Sequence, residues 1–280
     1  MVSQLDARIR MALAAQVDGG ELAVPLLSSA VTRVLAATEG EHADASKVAQ
    51  ILKSDASLAG NLLRLANSSV YTGRERVVTM QQAICRLGTV TLRQMVLVVA
   101  ARTRTFKVDG RERQVRHMFA HSLAAALFAQ EVARMRRLGV EEAFMIGLFH
   151  DVGRPVLLQA LVDLHAELGL RMDDDAIQPT MDALHARAGA RVVDAWQLSP
   201  RLADAVARHH DFDPTESRFR DAAMASFADA LAGCALEPSA TAEAAARGHL
   251  ALPLLGLYPD EVTRLLAMGP KIAAQVAELA

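Results

Sequence analysis

The sequence has little proline, few aromatic residues and only two cysteines. Residues 26–154 contain no proline, and aromatic residues make up 4% of the chain. Strands favour aromatic and β-branched residues, whereas this chain is rich in Ala, Leu and Arg, so the composition predicts an all-α fold. Cys85 and Cys234 are too few for a disulfide framework, which indicates a reducing, cytoplasmic location.

Long apolar runs and an excess of basic charge are also missing. Runs such as 95–101 fall far short of the ~20 residues that a membrane span needs, and the first ten residues do not resemble a secretory signal. The 30 Lys and Arg residues face 32 Asp and Glu residues, which gives a net charge of -2. This balance argues against binding nucleic acid through bulk charge. We therefore expect neither a membrane nor a nucleic-acid partner.

Helix starts are predicted where a side chain can accept hydrogen bonds from free amides. Such caps are Asp55, Ser199 before Pro200, and the capping boxes of Thr79 with Gln82 and Thr91 with Gln94. Further helices are predicted at about 26–38, 44–53, 115–137, 141–150, 180–196, 218–234 and 260–267. Polar breaks are expected at 107–111, 172–179 and 237–241.

Histidines and acids supply the residues that could carry chemistry. Most of the nine histidines follow residue 110, on or at the end of predicted helices. His117 and His121 share one helix face, and the further candidates for chemistry are His150-Asp151, His185, His209-His210 and Asp229. Imidazole and carboxylate together suit Fe, Mn, Zn or Ni. The pattern therefore predicts one or two divalent transition metal ions and no organic cofactor, whereas His42, His165 and His249 are interpreted as ordinary surface or core histidines.

These residues resemble a known superfamily. His121, His150-Asp151 and Asp229 match, in order and approximate spacing, the H…HD…D pattern of the HD metal-dependent phosphohydrolases, and residues 143–154 resemble the central helix of that superfamily. Segments 24–27, 62–68, 82–88 and 92–93 resemble the HDOD domain, an HD-related output domain of bacterial signalling proteins. The resemblance runs from about residue 24 to about residue 233.

The resemblance implies an N-terminal helical subdomain packed on an HD-like helical subdomain. It predicts a helical extension at 1–23, the N-terminal subdomain at 24–110, the metal-site subdomain at 111–236 and a C-terminal helical tail at 237–280. HDOD domains are regulatory modules, often attached to receiver or cyclic-nucleotide signalling domains. The implied partners are therefore signalling proteins with receiver, kinase or cyclic-nucleotide signalling domains, and a nucleotide is a candidate ligand.

Two departures from related sequences bear on activity. His185, His209 and His210 match positions that supply a second metal site in the HD-GYP relatives, but residues 211–214 replace the Gly-Tyr-Pro that follows the paired histidines there. Arg154 stands where a lysine is expected. Arginine can grip phosphate, but it stays charged and cannot donate a proton in catalysis.

Three functions follow from this sequence. The first is a non-catalytic bacterial output module, of the kind found in response regulators, that acts through protein–protein or ligand-responsive contacts. The second is a metal-dependent phosphohydrolase or phosphodiesterase acting on a nucleotide or cyclic dinucleotide, with Asp151 and Arg154 as catalytic residues. The third, a DNA-binding regulator, is disfavoured because residues 56–67 present mainly Asn61, Arg64 and Asn67 beside a leucine face that core packing explains better.

Overall fold

The structure, a computed structural model, describes residues 4–38, 45–68, 76–100, 108–168 and 174–279. Within these ranges the regular elements are helical and no strand occurs, which confirms the all-α prediction. In chain order the helices are α1 (Gln4–Gly19), α2 (Ser29–Ala37), α3 (Ala45–Lys53), α4 (Ala56–Ala66), α5 (Met80–Ala100), α6 (Glu112–Arg136), α7 (Val140–Phe149), α8 (Gly153–Glu167), α9 (Asp174–Ala195), α10 (Pro200–Arg208), α11 (Arg220–Leu236), α12 (Ala240–Arg247), α13 (Leu252–Leu255), α14 (Pro259–Ala267) and α15 (Gly269–Leu279), with a 3₁₀ turn at Ser217–Phe219.

The chain forms two units, which are described separately. One unit comprises residues 1–25 and 106–273, and the other comprises 26–105 and 274–280. All the candidate metal ligands lie in the first unit. The helices that position them are therefore α6 to α11.

In the second unit, which contains α2 to α5, helices α4 and α5 begin at predicted caps. The Asp55 carboxylate accepts from the Leu58 amide at 3.0 Å, and Thr79 and Gln82 exchange side-chain hydrogen bonds with each other's amides at 3.1 Å. Both caps are confirmed. The cap predicted at Thr91 is wrong, because α5 breaks earlier, at Gly88, where φ is 73° and ψ is 167°, a conformation that glycine adopts without strain.

Helix α4 uses its leucine face for the core of this unit. Leu58, Leu62 and Leu65 are buried, and α4 packs on α5. The Asn67 amide donates to the Val77 carbonyl at 2.8 Å, and the Asn67 carbonyl oxygen accepts from the Val77 amide at 2.8 Å. Core packing thus accounts for the leucine face, and the link to Val77 accounts for Asn67, one of the three polar residues that a DNA-reading helix would present.

In the first unit, glycine allows two central helices to approach closely. Helix α6 packs on α7 and α11. A Cβ atom at Gly147 of α7 would lie 2.6 Å from the carbonyl oxygen of Ala125 in α6. Only glycine fits such a backbone contact, and it brings the end of α7 beside α6.

Helix α1 belongs to the same unit and packs on α9. The Arg191 guanidinium of α9 donates to the carbonyl oxygens of Val17 and Asp18 at 3.2 and 2.9 Å. These carbonyls lie at the end of α1, where no amide of the helix remains to bind them. Arg191 therefore stabilises the end of α1 on α9.

The loop predicted at 172–179 is wrong from Asp174 onward, because α9 begins at that residue and includes Pro179; residues 172 and 173 lie outside the described ranges. A helical stripe of buried residues explains the difference, namely Ile177, Met181, Leu184, Ala188 and Val192. Burial of this stripe outweighs the one backbone hydrogen bond that proline removes. Of the break predicted at 237–241, residues 237–239 lie between α11 and α12, whereas 240 and 241 belong to α12, whose first turn is capped by Ser239 accepting from the Ala242 amide at 3.1 Å.

Among the residues that the structure describes, two helical stretches are apolar and long enough to cross a membrane by composition alone. They are Met80–Ala100 and Val140–Glu167, whose most apolar windows are 56% and 72% buried in the structure. Core helices of a folded unit pass the same test. Burial therefore explains both stretches without a bilayer.

Candidate metal centre

The His150-Asp151 pair lies in the turn between α7 and α8. Helix α7 ends at Phe149 and α8 begins at Gly153. The His150 side chain is 0% exposed and Asp151 is 6% exposed. The turn therefore buries an imidazole and a carboxylate at adjacent positions of the chain.

Two glycines let the neighbouring helices reach this turn. A Cβ atom at Gly153 would lie 2.1 Å from the carbonyl oxygen of His185, and one at Gly189 would lie 2.8 Å from a Val206 methyl group. Neither contact is tolerable for a larger residue without movement of the helices. The glycines thus bring α8, α9 and α10 together at the site.

Main-chain carbonyls orient the three buried imidazoles. Nδ1 of His150 binds the Gly147 carbonyl at 2.7 Å, Nδ1 of His185 binds the Met181 carbonyl at 2.9 Å, and Nδ1 of His209 binds the Val206 carbonyl at 2.7 Å. Because a carbonyl only accepts, Nδ1 carries the proton in each ring. In the neutral rings, Nε2 therefore presents a lone pair, the form that binds a metal.

His121, His150, Asp151 and Asp229 form the first cluster. Nε2 of His121 lies 2.8 Å from Oδ1 of Asp229, and Nε2 of His150 lies 3.6 Å from Asp151 Oδ2 and 3.7 Å from Asp229 Oδ1. His121, His150 and Asp151 each offer a ligand atom within 4.8 Å of the others. The cluster unites α6, the α7–α8 turn and α11.

His185, His209 and His210 form the second cluster. Nε2 of His185 lies 3.0 Å from Nε2 of His210 and 3.2 Å from Nε2 of His209. With Nδ1 protonated in both His185 and His209, two lone pairs face each other at 3.2 Å. Such an arrangement is repulsive unless a proton or a metal cation lies between the nitrogens.

Asp151 faces both clusters. Its Oδ2 accepts from Nε of Arg154 at 2.6 Å, and its Oδ1 lies 3.3 Å from Nε2 of His185 and 4.0 Å from Nε2 of His209. One carboxylate therefore lies between the two groups of imidazoles.

Burial and charge act in opposite directions on these groups. Burial lowers the pKa of His150, but the negative charges of Asp151 and Asp229 outweigh it and raise this pKa to about 9. Burial raises the pKa of Asp151, but His150, Arg154 and His185 lower it to about 2. Burial, followed by the electrostatic effects of His150 and His210, lowers the pKa of His209 to about 3. Asp151 and Asp229 thus supply the negative charge of the site, while His185 and His209 of the second cluster resist protonation.

A cleft of about 440 Å³ opens beside the first cluster. It is lined by Gln114, His117, Met118, His121, Asp151, Arg154, Gln178, Asp229 and Glu237. His117 lies at the rim, where its 59% exposed side chain is 3.3 Å from Glu237. His117 therefore shares a helix face with His121 without joining either cluster.

The comparison with protein families agrees with this architecture. The model of the HDOD domain matches residues 24–212, which is more than half of the chain. The chain belongs to the HDOD family. The match includes α2 to α10, and it ends before Asp229.

Relatives of known structure share the fold at low sequence identity. An HDOD domain protein of unknown function from Geobacter sulfurreducens is 23% identical, with 98% of this chain and 99% of that chain covered and a TM-score of 0.71. A suspected metal-dependent phosphohydrolase from Shewanella amazonensis SB2B is 17% identical, with 97% and 99% covered and a TM-score of 0.73. At such identities the likeness establishes the helical fold.

A curated relative extends well beyond this chain. An uncharacterised protein of Treponema pallidum (strain Nichols) is 22% identical over 209 residues, which are 70% of this chain and 39% of that relative. This HDOD chain therefore spans well under half of the length of the relative that it matches.

The residues of the HDOD chain fit a divalent metal ion. Nε2 of His150 and Oδ1 of Asp151 are buried and lack a hydrogen-bond partner within the described part of the chain. A buried polar atom without a partner is costly, and both atoms are strong metal donors. Together with the opposed lone pairs of His185 and His209, they form a nitrogen and oxygen donor set that suits a first-row transition metal.

The seven candidate ligands all reach the two clusters, although their role as metal ligands stays a prediction. Sequence reasoning missed Asp182, which accepts from Arg154 at 2.7 Å, because nothing in the spacing marked it. It also interpreted His249 as an ordinary histidine. The ring of His249 lies 5.5 Å from that of Phe227. Burial lowers the pKa of His249, His210 lowers it further, and Asp229 opposes this change.

Proposed function

We propose that this HDOD chain is a signalling module whose cleft binds a phosphate-bearing ligand on a metal-loaded histidine and aspartate centre. The observation that carries the proposal is the pair of buried lone pairs on His185 and His209, which lie 3.2 Å apart and repel each other unless a metal cation or a proton lies between them. His121, His150, Asp151 and Asp229 would hold one ion, and His185, His209 and His210 a second. Fe, Mn, Zn or Ni suits these donors.

The charge of the cleft explains why an anionic ligand would need the metal. Asp151, Asp229 and Glu237 supply three negative charges, against which stand Arg154 and the buried, protonated His150. The cleft without metal is therefore unfavourable for phosphate. A bound divalent ion is the largest local charge in such a site and supplies a direct phosphate contact.

The environment of Arg154 favours binding over turnover. Its Nε and Nη1 donate to Asp151 and Asp182, so these nitrogens are engaged by carboxylates. A guanidinium also cannot donate a proton to a leaving group. We therefore place the regulatory function first and expect the occupied cleft to be recognised by other signalling proteins.

Metal analysis of the purified full-length chain tests the centre. We expect one or two transition metal ions per chain before chelation, and fewer in His209→Ala. His117→Ala is the matched control, because His117 is exposed and belongs to neither cluster; it should keep the metal content of the parent. A parent chain that binds no Fe, Mn, Zn or Ni after reconstitution would refute the proposed function.

Ligand binding is tested by the thermal shift of the metal-loaded chain. Inorganic phosphate and a panel of mononucleotides and cyclic dinucleotides should raise the melting temperature after Mn²⁺ loading and leave it unchanged after chelation. A ligand that binds equally well without metal would contradict the role of the ions in recognition.

A phosphohydrolase is the second candidate, favoured by the presence of both complete clusters. The Shewanella structure of the same fold is described as a suspected metal-dependent phosphohydrolase. Bound ions in such a centre activate water and neutralise phosphate charge. Hydrolysis of a phosphodiester by the Mn²⁺- or Fe²⁺-loaded chain, lost in Asp151→Ala, would place this function ahead of the regulatory one.

A further inference from the structure

Arg154 links two carboxylates that belong to different parts of the first unit. Its Nε donates to Oδ2 of Asp151 at 2.6 Å, and its Nη1 donates to Oδ1 of Asp182 at 2.7 Å. Its side chain is 17% exposed. The guanidinium therefore joins the α7–α8 turn to α9 at the edge of the cleft.

Asp182 is itself held in place on α9. Its Oδ1 also accepts from Nε2 of Gln178 at 3.0 Å, and it lies three residues before His185 on the same helix. We call Gln178, Asp182, Arg154 and Asp151 the Arg154 network. The network connects the helix that carries His185 with the carboxylate that faces both clusters.

Fixing one oxygen of Asp151 also fixes the other. Arg154 engages Oδ2, and Oδ1 is left without a hydrogen-bond partner among the described residues, 3.3 Å from Nε2 of His185. A carboxylate without Arg154 could turn about its side-chain bonds and withdraw Oδ1 from the imidazoles. The planar guanidinium fork, which binds carboxylates in defined directions, prevents this rotation.

We propose that the Arg154 network positions Asp151 so that its Oδ1 points at the second cluster, and that it thereby sets the affinity for the ion held there. The inference rests on the metal centre of the proposed function. Arg154 acts through Asp151 and is a positioning residue rather than a ligand or a substrate contact. Asp182 and Gln178 act through Arg154 in turn.

Two roles are conceivable for Arg154, that of a positive charge and that of a positioning group, and they predict opposite effects of its removal on metal affinity. If the guanidinium mattered only as a positive charge near the ions, its removal would tighten the binding of a cation. If it positions Asp151, its removal weakens binding even though a repulsive charge has gone. The sign of the change therefore separates the two roles.

The test is a calorimetric titration of the metal-stripped full-length chain with Co²⁺ alone. Arg154→Gln should weaken binding of at least one ion by about 10- to 100-fold, the usual loss when a group supporting a metal ligand is removed. Arg154→Lys, which keeps the charge but not the fork, should fall between this variant and the parent. Asp182→Asn should also weaken binding. Asp194→Asn is the matched control, since this exposed residue lies on the same helix and the same charge is removed.

The visible spectrum of bound Co²⁺ provides a readout that general destabilisation would not change. A carboxylate that leaves the centre alters the ligand field, so Arg154→Gln and the parent should differ in band position at saturation, while Asp194→Asn should match the parent. The double variant Arg154→Gln/Asp182→Asn should bind no more weakly than Arg154→Gln, because the two residues act as one unit.

The outcomes of these titrations distinguish the positioning role of Arg154 from the metal centre of the proposed function. Equal or tighter Co²⁺ binding by Arg154→Gln, or an additive loss in the double variant, overturns the positioning role and leaves the proposed function standing. A parent chain that binds no ion overturns both. If Arg154→Gln does not fold, Asp182→Asn decides, because Asp182 is half exposed and its loss leaves the buried charges paired.

Discussion

Replacing Gly153 by alanine adds one methyl group where two helices touch. The new Cβ atom would lie 2.1 Å from the His185 carbonyl oxygen and 2.5 Å from the Gly189 amide nitrogen. Both neighbours are backbone atoms, so no side chain can turn away to make room. The start of α8 and the middle of α9 would have to separate by about 1 Å or more to restore ordinary contact distances.

The cost follows from the measured effect of overpacked cores. Adding a methyl group to a closely packed site lowers the free energy of unfolding by about 1–3 kcal/mol. For a unit of this size, each kcal/mol corresponds to a shift of roughly 2–4 °C in melting temperature. We therefore expect Gly153→Ala to melt about 2–12 °C below the parent when followed by circular dichroism in the absence of metal.

Gly233→Ala is the control with the opposite expected sign. Gly233 lies inside α11, and nothing stands within 4 Å of an added Cβ atom. Alanine in a helix interior is favoured over glycine by about 0.5–1 kcal/mol, so this variant should melt slightly above the parent. If Gly153→Ala were as stable as the parent or Gly233→Ala, the close approach of α8 and α9 at this point would be refuted.

Three further substitutions test the fold outside the centre. Asp55→Ala removes the cap of α4 and should lower the free energy of unfolding in urea by about 1 kcal/mol; an unchanged value would exclude the cap. Asn67→Ala leaves the Val77 main chain without its two side-chain hydrogen bonds and should cost about 1–3 kcal/mol in the same assay, and a neutral result would contradict this linkage. Arg191→Ala frees the carbonyls at the end of α1, so proteinase K should cut α1 faster than in the parent. Arg187→Ala, which removes only an exposed ion pair, should leave that rate nearly unchanged, and equal rates in all three proteins would refute the anchoring role of Arg191.

The ligand candidates were predictable because each one lies on or beside a strongly marked helix. His150-Asp151 follows an apolar helix, and Ser199-Pro200 defines the start of α10, which His209 directly follows. Their convergence was implied by the family resemblance alone, since spacing along the chain does not say which helices meet. Asp182 escaped prediction because its role depends on Arg154 reaching across from α8, which is a tertiary contact.

The errors in helix boundaries have local physical causes. Thr91 and Gln94 fit a capping box, but Gly88 takes up a positive φ and ends the preceding segment three residues earlier. The acidic run before Pro179 suggested a loop, but the apolar stripe that begins at Ile177 buries one face of the segment and extends α9 through the proline. At Gly88 the conformational freedom of glycine outweighed the capping-box pattern, and in α9 the burial of the apolar stripe outweighed the polar residues before Pro179.

The three buried imidazoles of the centre, those of His150, His185 and His209, are oriented by main-chain oxygens rather than by neighbouring side chains. Mutation cannot delete a carbonyl, so exchanging the fully buried Met181 or Val206 for another apolar residue that fills the same space leaves the orienting oxygen in place. Position 147 is the exception, since Gly147 is required by the approach of α6. A library of apolar residues at positions 181 and 206, read out by metal retention, would therefore show that two of the three orienting positions tolerate a change of side chain as long as the core stays filled.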